Sequence, residues 1–253
     1  MLPDKIRIGT AGFSYKDWLG NFYPQFCPQA DFLKFYTSKF NTVELDSTYY
    51  RIPPVETVKK WAATTPDSFV FTAKFPNTVT HEGSLEERIK NAGIFIDVMS
   101  HLGAKLGPLL LQFPYSFKPD RIGDLMALIA ALPDQGRFAI ELRNKAWLKE
   151  ERLFDRLKEK NIAFCLIDHP WMPRTKICTA DFHYLRFLGD RKKIEADFSF
   201  VRFDRREELA WWGDLVTEYS RQGVGFYAYF NNHYSGHAPT TAEALIELLG
   251  QAV

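Results

Sequence analysis

Residues 108–142 contain three segments that decide the fold: PLLLQF (108–113), DRIGDLMALIAAL (120–132) and RFAIEL (137–142). The first and third are short apolar runs of strand length, whereas the second has the length of a helix and ends at Pro133. Strands that are apolar on both faces are typical of parallel strands covered by helices. The stretch therefore predicts a strand–helix–strand unit.

The same alternation of short apolar or aromatic runs with helix-length segments continues outward over the whole chain. Eight segments predict strands: Lys5–Thr10, Thr42–Asp46, Phe69–Lys74, Pro108–Phe113, Arg137–Leu142, Ile162–Ile167, His183–Leu188 and Val224–Phe230. Seven predict helices: Asp31–Phe40, Val55–Ala63, Ser84–Leu102, Asp120–Leu132, Ala146–Lys160, Glu208–Arg221 and Thr240–Leu249. The spacings Ser84–Glu87 and Asp204–Glu207 predict capping boxes before two of these helices.

Eight strand–helix units in a chain of 253 residues predict an α/β fold, a single (β/α)₈ TIM-barrel domain covering residues 1–253. Pro170 and Pro173 leave the helix between strands six and seven reduced or missing. The alternative is an open doubly wound sheet. It is disfavoured because Gly9-Thr10-Ala11-Gly12-Phe13 lacks the third glycine and the helix start of a dinucleotide-binding turn.

Charge and cysteine content narrow the class of protein. The chain has 32 Lys and Arg against 31 Asp and Glu, and this balance disfavours a generic nucleic-acid or membrane-surface binder. Cys27, Cys165 and Cys178 are not spaced like a metal knuckle. We expect Met1–Thr10 to be no signal peptide, and Leu125–Leu132 is shorter than the ~20 residues of a membrane helix. These features predict a reduced, cytoplasmic protein that is not in a membrane.

Polar side chains end nearly every predicted strand, and in a barrel the site lies at these ends. The strand-end residues are Glu44, Asp46, Lys74, Gln112, Glu141, Arg143, Asp168, His169, Tyr184, Arg186, Asn231, Asn232 and His233. The period of two puts Glu141 with Arg143, and Tyr184 with Arg186, on shared strand faces. Charges within apolar runs are costly unless they are paired or used. Two interpretations follow, a salt-bridge network or a polar pocket, and we favour the pocket.

Several motifs together resemble the YecE-like family, also called domain of unknown function seventy-two. They are Gly9–Tyr15 with Trp18, Gly20 and Phe22–Pro24; Glu44 with Thr48–Pro53; Phe71–Lys74; Gly107–Gln112 with Pro114; Glu141–Arg143 with Trp147; and Tyr227–Asn232. The resemblance covers almost the whole chain and implies a barrel with a polar site at the strand ends, but no established reaction. The family usually shows His-Gly after the strand-seven arginine. This chain has Leu188-Gly189, so no role for that histidine is carried over.

The leading functional hypothesis is an enzyme that acts on an anionic small molecule or a phosphodiester by acid–base chemistry. Glu44 and Glu141 are the predicted acid–base pair, with Lys74 as a third catalytic group. Cationic strand ends can hold a phosphate or carboxylate, and Gly189 suits the frequent barrel phosphate site near strands seven and eight. The predicted substrate-binding residues are Arg143, Arg186, Gln112, Asn231, Asn232, Tyr15, Trp18, Tyr49 and Gly189.

Two alternatives stay open. A divalent-metal hydrolase or isomerase would use Glu141, Asp168, His169 and His233, but neighbouring Lys and Arg disfavour a cation and no close ligand spacing is present, so no cofactor is predicted. A non-catalytic nucleic-acid or ligand-binding module would stack bases on the aromatic loop that contains Tyr15, Trp18 and Tyr23. The same loop can instead be a packed flap. His81 and His237 are interpreted as loop residues, His101 and His183 as structural, and the oligomeric state is not assigned.

Overall fold

A computed structural model describes Pro3 and residues 5–252. Met1, Leu2 and Asp4 of the predicted signal-free N-terminus lie outside the described residues, as does Val253. The chain forms two compact units. The first comprises Met1–Glu44, Leu166–Lys176 and Asp181–Val253, and the second comprises Leu45–Cys165 and Ile177–Ala180. The single domain over residues 1–253 stays a prediction.

Parallel strands and helices make up the described part of the chain. The strands are β1 (Ile6–Thr10), β2 (Thr42–Leu45), β3 (Val70–Lys74), β4 (Leu106–Phe113), β5 (Phe138–Leu142), β6 (Ala163–Phe164), β7 (Leu166–Asp168), β8 (Phe182–Phe187) and β9 (Gly225–Phe230). The α-helices are α1 (Phe32–Tyr36), α2 (Val55–Thr64), α3 (Asn77–Thr80), α4 (Leu85–Ser100), α5 (Ile122–Ala131), α6 (Glu151–Glu159), α7 (Arg206–Ser220), α8 (Asn232–Ser235) and α9 (Ala238–Ala252).

The first unit contains a parallel sheet in the order β1-β9-β8-β7. The register pairs Thr10 with Phe230, and Arg186 with Tyr229. Just beyond β1, Ala11 forms an isolated parallel bridge to Glu44. The carboxyl ends of β1, β7, β8 and β9 therefore lie along one edge of this sheet, as parallel strands require.

The second sheet has the order β2-β3-β4-β5-β6, and β3 to β6 pair in parallel. Its strands in the second unit are buried along nearly their whole length, which explains why β4 and β5 read as continuous apolar runs. Gln112 pairs with Glu141 across β4 and β5. This register brings two of the predicted strand-end residues side by side.

The structure confirms an α/β fold with parallel sheets. Each predicted strand is observed to within two residues at either end, except that the sixth is divided at Cys165 into β6 and β7. Residues 169–181, all of them described, contain no helix, as the two prolines predict. Among the described helices, none combines the length and the apolar composition that a membrane crossing requires.

The helix starts agree with the sequence only in part. At α4 the capping box is confirmed, because the Ser84 hydroxyl accepts from the Glu87 amide and the Glu87 carboxylate accepts from the Ser84 amide. At α7 the predicted box is wrong. The Asp204 carboxylate binds both the amide and the guanidinium of Arg206, two residues away, and the helix begins there. The predicted helix Ala146–Lys160 is a 3₁₀ turn followed by α6.

Candidate functional site

Lys74 ends β3 and lies in the second unit beside Tyr49. Its ammonium group is 3.9 Å from the centre of the Tyr49 ring, which is cation–π distance. Tyr49 ends a 3₁₀ turn, Ser47–Tyr49, that follows β2. The Thr48 hydroxyl ties this turn to β3, because it lies 2.6 Å from the carbonyl oxygen of Lys74. The lysine is only 8% exposed, so its ammonium group is largely shielded from solvent.

Glu141 and Arg143 end β5 on one strand face, as the period of two predicts. The Nε of Arg143 donates to Oε1 of Glu141 at 2.6 Å. Glu141 is fully buried, whereas 39% of the Arg143 side chain is exposed. A charge-assisted bond to a buried carboxylate fixes the guanidinium and leaves part of it facing solvent. Glu141 therefore positions Arg143, and its own catalytic role stays a prediction.

His81, a loop residue as predicted, lies close to these cations, and the sequence pattern gave it no functional role. It follows α3, and its ring lies 5.3 Å from the Tyr49 ring at a nearly perpendicular angle. Burial, together with the positive charges of Lys74, Arg143 and Arg88, lowers the pKa of His81 to about 4. The ring is therefore neutral at pH 7. His81 lies in the segment that follows β3. The sequence signal for it is therefore a histidine in the loop after a strand that ends in lysine.

Tyr49 and Gln112 complete the second unit's strand ends. Burial raises the pKa of the Tyr49 phenol, assisted by the charges of Tyr50 and Glu82, while Arg143 acts in the opposite direction. The phenol is thus a hydrogen-bond donor at neutral pH. Gln112 is buried and donates from its side-chain amide to the carbonyl oxygen of Phe113 at 2.8 Å. It does not present that amide to a ligand.

Glu44 and Arg186 lie in the first unit and form a buried ion pair with each other. The Nε and Nη2 of Arg186 donate to Oε1 of Glu44 at 3.0 and 2.6 Å, and the Tyr184 hydroxyl donates to Oε2 at 2.6 Å. The Arg186 side chain is 3% exposed and the Glu44 side chain is 0% exposed. This geometry favours the network interpretation for the pair, and the roles of Glu44 as a catalytic group and Arg186 as an anion-binding group stay predictions.

The aromatic loop after β1 packs as a flap. Trp18 is fully buried among the rings of Tyr15, Phe22 and Tyr23, with ring centres 4.7 to 6.0 Å apart. Its Nε1 donates to Oδ1 of Asn232 at 3.1 Å. Tyr23 is also buried, so neither ring offers a face for stacking, and the nucleic-acid alternative loses the platform on which it depended.

Asn231 and Asn232, which follow β9, and Tyr15 make hydrogen bonds to nearby backbone groups. Asn231 caps α8 by accepting from the His233 amide at 3.0 Å, and the Asn232 side chain also accepts from the Ala238 amide. Tyr15 is half-buried and donates from its hydroxyl to the carbonyl oxygen of Ala11 at 3.1 Å. These contacts satisfy polar groups of the three side chains, and their role in substrate binding stays a prediction.

The predicted metal ligands do not assemble. Within Pro3 and residues 5–252, no group of three or more His, Cys, Asp or Glu side chains is arranged to hold a metal ion. Oδ2 of Asp168 accepts from Trp212 and Tyr234, and Nδ1 of His233 lies 2.6 Å from the carbonyl oxygen of Ile194. Glu141 is paired with Arg143, as described above. The donor set therefore does not support the metal-dependent alternative.

Gly189 follows β8 and lies in the wall of a cavity that also includes Asp168 and His169. Its φ is +65°, in the left-handed region, and a Cβ there would lie 2.1 Å from the carbonyl oxygen of His233. Only glycine permits this close approach of two backbone segments. A phosphate-binding role for Gly189 stays a prediction.

Known proteins resemble this chain over most of its length. The family described as "Protein of unknown function DUF72" matches residues 7–253. UPF0759 protein YecE of Escherichia coli (strain K12) is 26% identical over 211 residues, 74% of this chain and 77% of YecE. UPF0759 protein YunF of Bacillus subtilis (strain 168) is 25% identical over 271 aligned positions, 96% of this chain and 94% of YunF.

Solved structures of DUF72 family proteins also resemble this chain. A DUF72 family protein from Thermotoga maritima MSB8 is 31% identical, with a TM-score of 0.81, and the match covers 97% of this chain and 99% of that one. A DUF72 family protein from Enterococcus faecalis V583 has a TM-score of 0.78 at 24% identity, which supports the fold alone. The match over residues 7–253 shows that this chain belongs to the DUF72 family.

Proposed function

We propose that this chain is an enzyme acting on a phosphate- or carboxylate-bearing small molecule, with Lys74 and Arg143 of the second unit as its anion-binding groups. The observation that carries the proposal is geometric: the Lys74 ammonium lies 3.9 Å from the centre of the Tyr49 ring, and the His81 ring lies 5.3 Å from that same ring. The partly exposed Arg143 guanidinium acts on the same two side chains, because its positive charge acts to lower the pKa of both Tyr49 and His81. Such donors match the oxygens of a phosphate or a carboxylate.

His81 is the acid–base group of this proposal. A bound anion offsets the positive field of Lys74 and Arg143, so it raises the pKa of His81 toward the neutral range. A histidine in that range exchanges a proton with a reacting group efficiently. Lys74 would stabilise negative charge that develops on the substrate, as predicted from the sequence, and Glu141 would hold Arg143 in position.

We also infer that the strands close into the expected (β/α)₈ barrel. The support is the order of strands within each sheet, which follows the chain from β2 to β6 and from β7 to β9, with β1 next to β9. A crystal structure of the full chain tests this. Sheets that remain open beside β2 or β7 would contradict it.

Anion binding is tested by titrating the full-length protein with phosphate, sulfate and acetate in a calorimeter. We expect saturable binding of at least one anion, weakened at least about tenfold in Lys74→Met and in Arg143→Gln. Lys59→Met and Arg156→Gln, which remove charges from exposed helix pairs in the same unit, serve as matched controls that bind like the wild type. Absence of saturable binding, or equal loss in the controls, would refute the site.

Catalysis is tested separately with p-nitrophenyl phosphate, bis(p-nitrophenyl) phosphate and p-nitrophenyl acetate. We expect release of nitrophenol above background from at least one ester, and its loss in His81→Gln with phosphate binding retained. Binding of phosphate without turnover of any ester would support the ligand-binding alternative instead.

A further inference from the structure

A cavity of about 410 Å³ lies in the first unit, at the carboxyl end of β7. Asp168, Arg174, Arg205 and Glu208 contribute to its wall, so two carboxylates and two guanidinium groups surround one space. Pro170 and Met172 add apolar surface. Pockets of this volume, mostly apolar with a few placed polar groups, are typical of small-molecule sites.

Asp168 is a buried part of the cavity wall, and two hydrogen bonds hold its carboxylate. Its Oδ2 accepts from the Trp212 indole at 2.7 Å and from the Tyr234 hydroxyl at 3.0 Å. Burial, together with the negative charge of Asp168, raises the pKa of Tyr234, so this phenol donates at every physiological pH. Two donors on one oxygen fix the orientation of the carboxylate.

Arg174 approaches Asp168 only at long range. Its Nη2 lies 3.5 Å from Oδ1 and 3.3 Å from Oδ2 of that carboxylate, beyond the ~2.7–2.9 Å of a charge-assisted hydrogen bond. A third of the Arg174 side chain is exposed. The guanidinium is therefore placed near a buried acid without a close bond to it, which leaves its planar fork able to receive a second carboxylate.

His169 is part of the same cavity wall as Arg174. Its Nδ1 accepts from the amide of Trp171 at 3.2 Å, which assigns the ring proton of the neutral form to Nε2.

Arg205 is committed to its neighbours, whereas Glu208 remains partly exposed. Arg205 donates to Glu208 at 2.9 Å and to the carbonyl oxygen of Tyr234 at 2.9 Å, and its guanidinium lies 4.8 Å from the Tyr234 ring centre. The Glu208 side chain is 24% exposed. Together with Asp168 it gives the cavity two carboxylates that can accept from an ammonium group.

We propose that this cavity binds an α-amino acid. Its carboxylate would bind Arg174, and its ammonium group would bind Asp168 and Glu208. Because the wall carries two positive and two negative side chains, a zwitterion preserves the charge balance that a simple anion or a simple cation would disturb. The proposal goes beyond the proposed function, whose residues belong to the second unit.

The test is calorimetric titration of the full-length protein with each of the twenty protein amino acids. Every binder is then retested as its decarboxylated amine and as its deaminated acid. We expect at least one amino acid to bind with a Kd below about 5 mM, and both of its analogues to bind at least about tenfold more weakly. No amino acid below that Kd, or an analogue that binds equally well, would overturn the proposal.

Variants assign the binding to this cavity. Arg174→Gln should weaken the amino acid at least about tenfold, whereas Arg206→Gln, which removes an arginine that is 89% exposed, should not. Thermal unfolding checks that each variant is folded. If Arg174→Gln is not, Arg174→Lys keeps the charge beside Asp168 but loses the planar fork, and it should also weaken binding. Unchanged affinity in the folded variant would refute the assignment.

Discussion

Replacing Arg186 by methionine removes the guanidinium that pairs with Glu44 inside the first unit. Glu44 then loses donors at 3.0 and 2.6 Å but keeps the Tyr184 hydroxyl at 2.6 Å, while its carboxylate remains completely buried. Breaking a buried pair and leaving one charge behind costs about 3–5 kcal/mol. We expect Arg186→Met to lose free energy of unfolding in this range. Glu44→Gln, which leaves the arginine charge buried, should lose a similar amount.

The double variant Glu44→Gln, Arg186→Met separates the pair from its surroundings. It leaves neither charge buried, so its loss should fall short of the sum of the two single losses by about 2 kcal/mol or more. Urea unfolding at unchanged m-value gives all four free energies. Arg206→Met is the control, since Arg206 and Asp204 have the same 2.6 Å separation but are exposed, and its stability should stay close to that of the wild type. A loss below about 1 kcal/mol in Arg186→Met would refute the buried-pair reasoning.

Four further predictions concern Lys74, His81, His183 and the independence of folding from metal. Lys74→Met should cost less than about 3 kcal/mol in urea unfolding, and a larger loss, the size of a broken buried pair, would favour a structural role for this lysine. The NMR titration of His81 should give a pKa of about 4 in the free protein and a clearly higher pKa in saturating phosphate; an unchanged pKa would separate His81 from the anion site. His183 is buried with no hydrogen-bond partner for either ring nitrogen among the described residues, and burial lowers its pKa from 6.5 to about 4. The unfolded chain therefore binds a proton that the folded chain does not as the pH falls from 6.5 to 4, so His183 removes stability over that window, about 2 kcal/mol at pH 5. His183→Phe should lose less stability than the wild type between pH 7 and pH 5, and parallel losses would contradict this. Thermal unfolding with a strong chelator should match unfolding without it, because a core of this size stands without metal; a drop of many degrees would reveal a structural metal.

Local sequence patterns determined the elements and the faces that their residues occupy. The apolar runs of 108–113 and 137–142 became β4 and β5, because the apolar composition and the side-chain alternation that favour a strand are properties of the segment itself. The same alternation correctly placed Glu141 with Arg143 on one face, and Tyr184 with Arg186 on another. The prolines of residues 169–181 predicted the missing helix for an equally local reason.

The tertiary structure alone decided which charges are paired. Arg186 and Glu44 are 142 positions apart, and no local pattern states that β8 and the end of β2 bring them within hydrogen-bond distance. The sequence therefore predicted a cation at a strand end correctly but could not say that its charge is already satisfied. The burial of Trp18 against Asn232, 214 positions away, reversed the stacking prediction in the same way. Likewise, the placement of His81 beside Lys74 and Arg143 depends on how loops fold back over strand ends. Periodicity determines the face of a residue, whereas its partner depends on the packing of segments that are distant in the chain.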